Sequence, residues 1–362
     1  MSRTKLCLAA LLMAGIVGGC AAPPPPLKVY WPPPPNEPRL QWITTFSTED
    51  NFPKTGGQVF TETLVGKEFR YGFAKPSGIV SNGKGVVYVA DMDVGNVKIV
   101  DFNNKTVELL AKMPIFKVPL GLALDHAGRL YVADAGQPAI IVFGPDLKPL
   151  FTFGGRDDFD KPTFLAINER LGRIYVSDVV GSRVVVFDLT GKKLFSFGSK
   201  GSGPGELFGP QGIAIDVKDR VYVAEQFNAR VQVFDGDGKS LSMFGERGDR
   251  EWQFEGPRGL AFDSRGDLFV ADGRKAMVMV LDGEGKPLTY LGGGRTTHQL
   301  GFSLPTAISI DQNDRIYITD SMNRRFTVWQ YLTPDYLREH PLDPEAMKRI
   351  REKAQRLEQQ NK

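Results

Sequence analysis

The chain has 362 residues, 41% hydrophobic and 24% charged, which is enough to bury a large core. Its 45 Lys and Arg against 42 Asp and Glu leave a formal charge of only +3, and Arg3 and Lys5 fall in a segment expected to be removed. The near-neutral remainder has no basic excess or stripe, so nucleic acid is set aside as a partner.

At the N-terminus, "MSRTK" precedes the apolar run "LCLAALLMAGIV" and then "VGGC". Residues 1–19 read as a secretory leader, too short to span a bilayer comfortably. Gly18 and Gly19 before Cys20 resemble the cleavage site of bacterial lipoproteins. That resemblance implies a diacylglycerol thioether on Cys20, further acylation of its amine, and anchoring to a membrane through more than one acyl chain. Ala21 stands where an Asp would favour retention at the inner membrane, so the cell envelope is the expected location, and the outer membrane where a cell has two. The alternative is a plain secretory leader that contains a cysteine. Cys7 lies in the leader and Cys20 carries lipid, so the folded part has no disulfide or thiolate ligand.

Residues 20–37 hold two runs of four prolines, "PPPPLKVYWPPPP". They favour extended polyproline II and read as a tether. The other reading is a ligand for an aromatic-lined groove.

Residues 38–332 are repetitive. A proline opens a short strand at Pro76, Pro119, Pro162, Pro210, Pro257 and Pro305, at intervals of 43 to 48 residues. Each copy continues through a "VYVAD" strand, a "RVQVFD" strand and a "KKLFSF" strand, separated by turns such as "DHAG", "DSRG" and "GDGK". Four antiparallel strands per copy, stacked radially, make an all-β, six-bladed β-propeller. The last copy lacks its fourth strand, whereas "PRLQWITTF" (38–46) supplies one ahead of the first copy. An N-terminal strand therefore closes the ring and hides its open edges.

The motif "G-x-[VL]-Y-V-A-D" followed by "N-x-R-V-x-V-F-D" resembles the NHL repeat, best in the copies from Pro162 and Pro210. The resemblance implies the propeller fold. Its function is left open, because such repeats serve scaffolds, RNA binders, sensors and a few enzymes.

Asp91, Asp134, Asp178, Glu225, Asp272 and Asp320 end the second strands. They are expected to accept turn N–H groups and to pair with Arg183, Arg230 and Arg325, on their own or a neighbouring blade, as a structural framework. A ring of six acids is the alternative, cation-binding reading. A zinc lyase on this fold would need converging histidines, and only His126, His298 and His340 are present, in separate loops and the tail. Glu206, Glu255, Asp91 and Asn228 could be fitted to the plan of calcium-dependent lactonases of this architecture, although their spacing does not demand it. No metal site or catalytic residue is therefore assigned. Phe159, Phe208, Phe254 and Phe302, just ahead of the repeat prolines, are expected to plug the spaces between blades.

The turns after the six acids vary while the strands do not. Asp93, Asn96, Gln226, Phe227, Asn228, Arg274, Lys275, Asn323 and Arg324 are candidates for a displayed binding face. The long segment Thr48 to Lys75 is either a contact loop or an ordered insertion. Residues 333–362 form a helical tail, with Asp343 as N-cap, Pro344 at N1 and Met347, Ile350, Ala354 and Leu357 on one stripe. The expected protein is a monomeric, membrane-anchored envelope lipoprotein that scaffolds a protein or extended polymer without a cofactor. The alternative is a hydrolase, lactonase or lyase using Ca or Zn in the central channel.

Overall fold

The computed structural model describes residues 28–33, 36–54 and 71–345, with positions 56, 57, 62, 64, 347, 348 and 352. The leader and Cys20 lie outside the described residues.

Each repeat is one antiparallel sheet that begins at its proline. Blade 1 holds β3 (Pro76–Ser81), β4 (Val86–Asp91), β5 (Asn96–Asp101) and β6 (Thr106–Leu109), and blade 2 holds β7 (Pro119–Leu124), β8 (Leu130–Asp134), β9 (Ala139–Phe143) and β10 (Pro149–Phe153). Blade 3 holds β11 (Pro162–Asn168), β12 (Arg173–Asp178), β13 (Arg183–Asp188) and β14 (Lys193–Phe197). Blade 4 is β15 (Pro210–Ile215), β16 (Val221–Glu225), β17 (Arg230–Phe234) and β18 (Ser240–Phe244). Blade 5 is β19 (Pro257–Phe262), β20 (Leu268–Asp272), β21 (Met277–Leu281) and β22 (Pro287–Gly292). Blade 6 joins β23 (Pro305–Ile310), β24 (Arg315–Asp320) and β25 (Arg325–Tyr331) to β2 (Leu40–Phe46) and β1 (Val29–Trp31) from the chain's start.

Proline is tolerated because it takes the first position of the innermost strand, opposite the acid that ends the second strand, as in Pro76↔Asp91. A register shift follows it in all six blades. Two residues on, the innermost strands of neighbouring blades nearly touch. A Cβ on Gly78 would lie 2.1 Å from the Leu120 carbonyl oxygen, and one on Gly212 2.0 Å from that of Arg258. The glycine of "P-x-G" is required by this approach.

The "VYVAD" strands are covered on both faces, hence their almost unbroken apolar runs. In one inter-blade core, Tyr131, Ala133, Ile140 and Val142 of blade 2 pack on Ile174, Val176, Val185 and Phe187 of blade 3. Between blades 6 and 1 the ring is closed by Thr319 Oγ1, which donates to the Ser77 carbonyl (2.7 Å), and by Ser321 Oγ, which donates to that of Pro76.

The closing strand is where the sequence placed it, with Phe46 opposite Phe326. The tether reading of 20–37 needs correction. Val29–Trp31, between the proline runs, retain their N–H groups and pair with β2 as a fifth strand. In the tail, the structure adds α1 (Pro334–Glu339), capped by Thr333, ahead of the expected helix. Asp343 does cap the next turn, accepting from Glu345 N (3.0 Å), and Met347 is buried with Tyr30 and Leu332. Ile350, Ala354 and Leu357 lie outside the described residues.

Of the Thr48–Lys75 segment, the described ends are packed down. Thr48 caps a short 3-10 turn at Glu49–Asn51, and Phe52 and Phe73 join Phe46, Phe102 and Phe326 in an aromatic cluster.

Candidate functional site

The six acids are fully buried. Each holds the loop that leads into its own blade. Asp91 accepts from Ala74 N and Lys75 N, Asp134 from Lys117 N and Val118 N, Asp178 from Asp160 N and Lys161 N, and Asp320 from Ser303 N and Leu304 N, at 2.7–3.0 Å. Asp272 accepts from Glu255 N and Gly256 N and also from Arg274 N and Lys275 N. Glu225, one carbon longer, takes Phe208 N. The cations pair within the blade, five residues on: Arg183 with Asp178 (3.2 Å), Arg230 with Glu225 and Arg325 with Asp320 (3.3 Å). Blade 1 uses Lys98 instead, buried against Asp91 at 2.7 Å. The carboxylates are engaged by backbone and Arg rather than aimed at a common centre.

The channel is narrow and lined by hydrocarbon. Ile79, Leu122, Leu165, Ile213, Leu260 and Ile308 line an internal space of only about 50 Å³. Among the described residues, no three His, Cys, Asp or Glu side chains converge as a ligand set. His126 instead meets Glu169 (2.5 Å) on an exposed turn, and His340 stacks on Tyr336. Of the other residues fitted to a channel plan, Glu206 accepts from Ser202 N and Gly203 N, and Asn228 donates to Glu225 (2.6 Å).

The turns after the acids share a face with the loops before the prolines. Met92 N, Ala135 N, Val179 N, Gln226 N, Gly273 N and Ser321 N donate to the carbonyls of Lys75, Val118, Lys161, Gly209, Gly256 and Leu304. Within each turn the positions divide by role. Three residues past the acid, Gln137, Asn228 and Asn323 cap the acid itself. Asn96 clamps Ala111, and Lys275 Nζ bonds the Arg250 carbonyl. Two residues past the acid, side chains point out: Asp93, Val180, Phe227, Arg274 and Met322. Arg324 is exposed as well, and Gln226 is buried under Gln211 Nε2. Val180 and Met322 were not singled out from sequence, although their shared register with Phe227 was available as a signal.

One plug is shifted. Phe159, Phe254 and Phe302 fill the inter-blade spaces as expected, but in blade 4 Leu207 takes that place. Its side chain covers Gly198 as Phe159 covers Gly154. Phe208 is thereby released to the surface, where it meets Phe227 at a 4.9 Å centroid distance beneath Lys200 Nζ at 5.1 Å. With Lys161, Val180 and Gln211, these residues line a depression of about 370 Å³ between blades 3 and 4. A larger open groove of about 890 Å³, walled by Trp31, Trp252 and Tyr290, runs along the outer rim of blades 5 and 6.

A family model described as "6-bladed beta-propeller" matches residues 156–244. No curated protein matches. Among solved structures, a Bacteroides thetaiotaomicron protein titled as of unknown function is 18% identical, with a TM-score of 0.59 over 71% of this chain and 70% of its own. A Xanthomonas campestris gluconolactonase is 18% identical with a TM-score of 0.56 over 72% of this chain and 86% of its own. Virginiamycin B lyase from Staphylococcus aureus is 14% identical with a TM-score of 0.52 over 72% and 85%. At these identities the likeness is one of fold, and that fold is the six-bladed β-propeller.

Proposed function

We propose that this chain is a membrane-anchored envelope lipoprotein of the NHL-repeat kind, held by lipid on Cys20. Its propeller binds a protein or extended polymer and performs no turnover. The observation that carries this reading is the surface Phe208–Phe227 pair, with Val180 and Lys200, on the face where the turns vary, beside a narrow channel lined by aliphatic side chains. Clustered exposed aromatic and aliphatic groups rimmed by cations are what a macromolecular contact uses.

A second reading is a metal-dependent hydrolase, lactonase or lyase. A gluconolactonase and a lyase are among the similar folds. Against it stand the engagement of the six acids by backbone N–H groups and the separation of the histidines.

The test is cross-linking capture from envelope membranes carrying either the wild type or the Phe227→Ala, Arg274→Ala, Arg324→Ala triple variant. The expected result is one dominant cross-linked species that the triple variant loses. Unchanged recovery, or lactone or ester turnover abolished by a chelator, would overturn the reading.

A further inference from the structure

Arg258 is anomalous for a half-buried cation. Its Nε is sealed from solvent without a hydrogen-bond partner, and no described group accepts from its terminal nitrogens. An unpartnered buried donor of this kind is costly, more so on a charged group. The surroundings make room for it. A Cβ on Gly273 would lie 3.0 Å from Arg258 Cδ and 3.1 Å from its Nε, so the stem rests where every other blade carries a side chain or its Cβ. Arg274 sits beside it, its stem laid over Gly256 at a distance where a Cβ would come within 2.9 Å of Cγ. Asp272 makes no hydrogen bond to either head, because its oxygens accept from the N–H groups of Glu255, Gly256, Arg274 and Lys275, and its charge offsets the lowering at Arg258 only in part. Burial first, and then the charge of Arg274, push the Arg258 pKa below its ordinary value. The two arginine stems thus cross at the start of the innermost strand of blade 5, Arg258 against Gly273 and Arg274 against Gly256, with no carboxylate hydrogen-bonded to either head.

We propose that Arg258 and Arg274 form a receptor for an oxyanion, a carboxylate or phosphate group presented by the bound partner. A planar guanidinium supplies paired N–H donors that fit either group. The anion, once seated, offsets both the desolvation of Arg258 and its repulsion by Arg274. The proposal deepens the reading of this face as the binding face by naming the partner's chemistry.

The test is calorimetric titration of the full chain in detergent, at fixed ionic strength, with two probes: inorganic phosphate and an acetylated tetraglutamate peptide. Wild type should bind at least one probe saturably, and preference for phosphate or for the peptide identifies which oxyanion the site takes. Arg258→Gln and Arg274→Gln should each weaken that binding about tenfold or more, as loss of a charge-assisted hydrogen bond does. Arg274 is exposed, so its variant reports on the site without endangering the fold. Gly273→Ala should weaken binding with both arginines still present. Absence of saturable heat from both probes, or affinities unchanged in the two Gln variants, overturns the proposal. Cross-linked capture that remains sensitive to Phe227→Ala alone in that event would leave the binding face standing without an oxyanion subsite.

Discussion

Asp263 and Asp267 face each other across the first turn of blade 5, where blades 2 and 4 pair an aspartate with an arginine, Asp125 with Arg129 and Asp216 with Arg220. Asp263 Oδ1 keeps the turn by accepting from Asp267 N at 2.8 Å, but its Oδ2 is buried without a partner. Burial, and then the charges of Asp267 and Asp314, push the Asp263 carboxyl up to about 6. The folded carboxyl therefore holds its proton more tightly than the unfolded one. This contribution to stability falls as pH rises from about 4 to about 6 and stays unfavourable above that. Asp263→Asn should stabilise the protein at neutral pH by about 1–3 kcal/mol, with the gain vanishing below about pH 4. Denaturant unfolding of both proteins across that range measures the difference, and a pH-independent gap would refute the assignment.

Arg230 binds Glu225 and also the carbonyls of Ser202, Gly203 and Glu206, so it pins the loop before Pro210. Arg230→Ala leaves the buried Glu225 without its cation and should cost about 3–5 kcal/mol. Arg183→Ala, whose side chain is 33% exposed, should cost clearly less, since water can replace it. Comparable losses at the two sites in equilibrium unfolding would contradict this ranking.

Gly212→Ala tests the close approach of blades 4 and 5. The added Cβ has only a backbone carbonyl to meet, which cannot rotate away. A loss of about 1–3 kcal/mol or more is expected, while Gly266→Ala should act through its positive φ of 86° alone, because nothing crowds it. Differential scanning calorimetry of the two variants separates packing from backbone strain.

Removal of 39–46 should lower the melting temperature sharply and promote association, because β25 loses its partner and presents an open edge. Removal of 344–362 should do neither. A strand deletion that melts with the full-length chain would show that blade 6 is complete without β2.

Cys20→Ser should move the protein from the membrane to the soluble fraction and abolish fatty-acid labelling. Retention of the Ser variant in washed membranes would require an anchor elsewhere.

The blades were legible because each repeat states its own boundaries: a proline at the start of the innermost strand and an acid at the end of the second. The closing strand was legible by subtraction, since the last copy ran out after "RRFTVWQ". Roles that depend on what lies across a gap were not. Phe159 stands three residues ahead of its proline and Phe208 two, so Leu207, in the register of Phe159, covers Gly198 and leaves Phe208 outside. Asn228 and Phe227 are neighbours in one variable turn, but only the latter is displayed. That Asp272 makes no hydrogen bond to Arg258 follows from its engagement by four backbone N–H groups, which no local pattern announces.

Blade 6 joins two strands that precede blade 1 in the chain to three that follow blade 5, and this dictates an order of events during synthesis. Leu40–Phe46 leaves the ribosome well before its partner, Arg325–Tyr331, is made. At ~5–20 residues per second, the early strand waits on the order of tens of seconds with an unpaired edge. Blades 1 to 5, whose strands are contiguous in the chain, can form as they emerge. The ring then closes in a single late step of high contact order, and a chain cut short anywhere before Arg325 leaves that first strand with nothing to join.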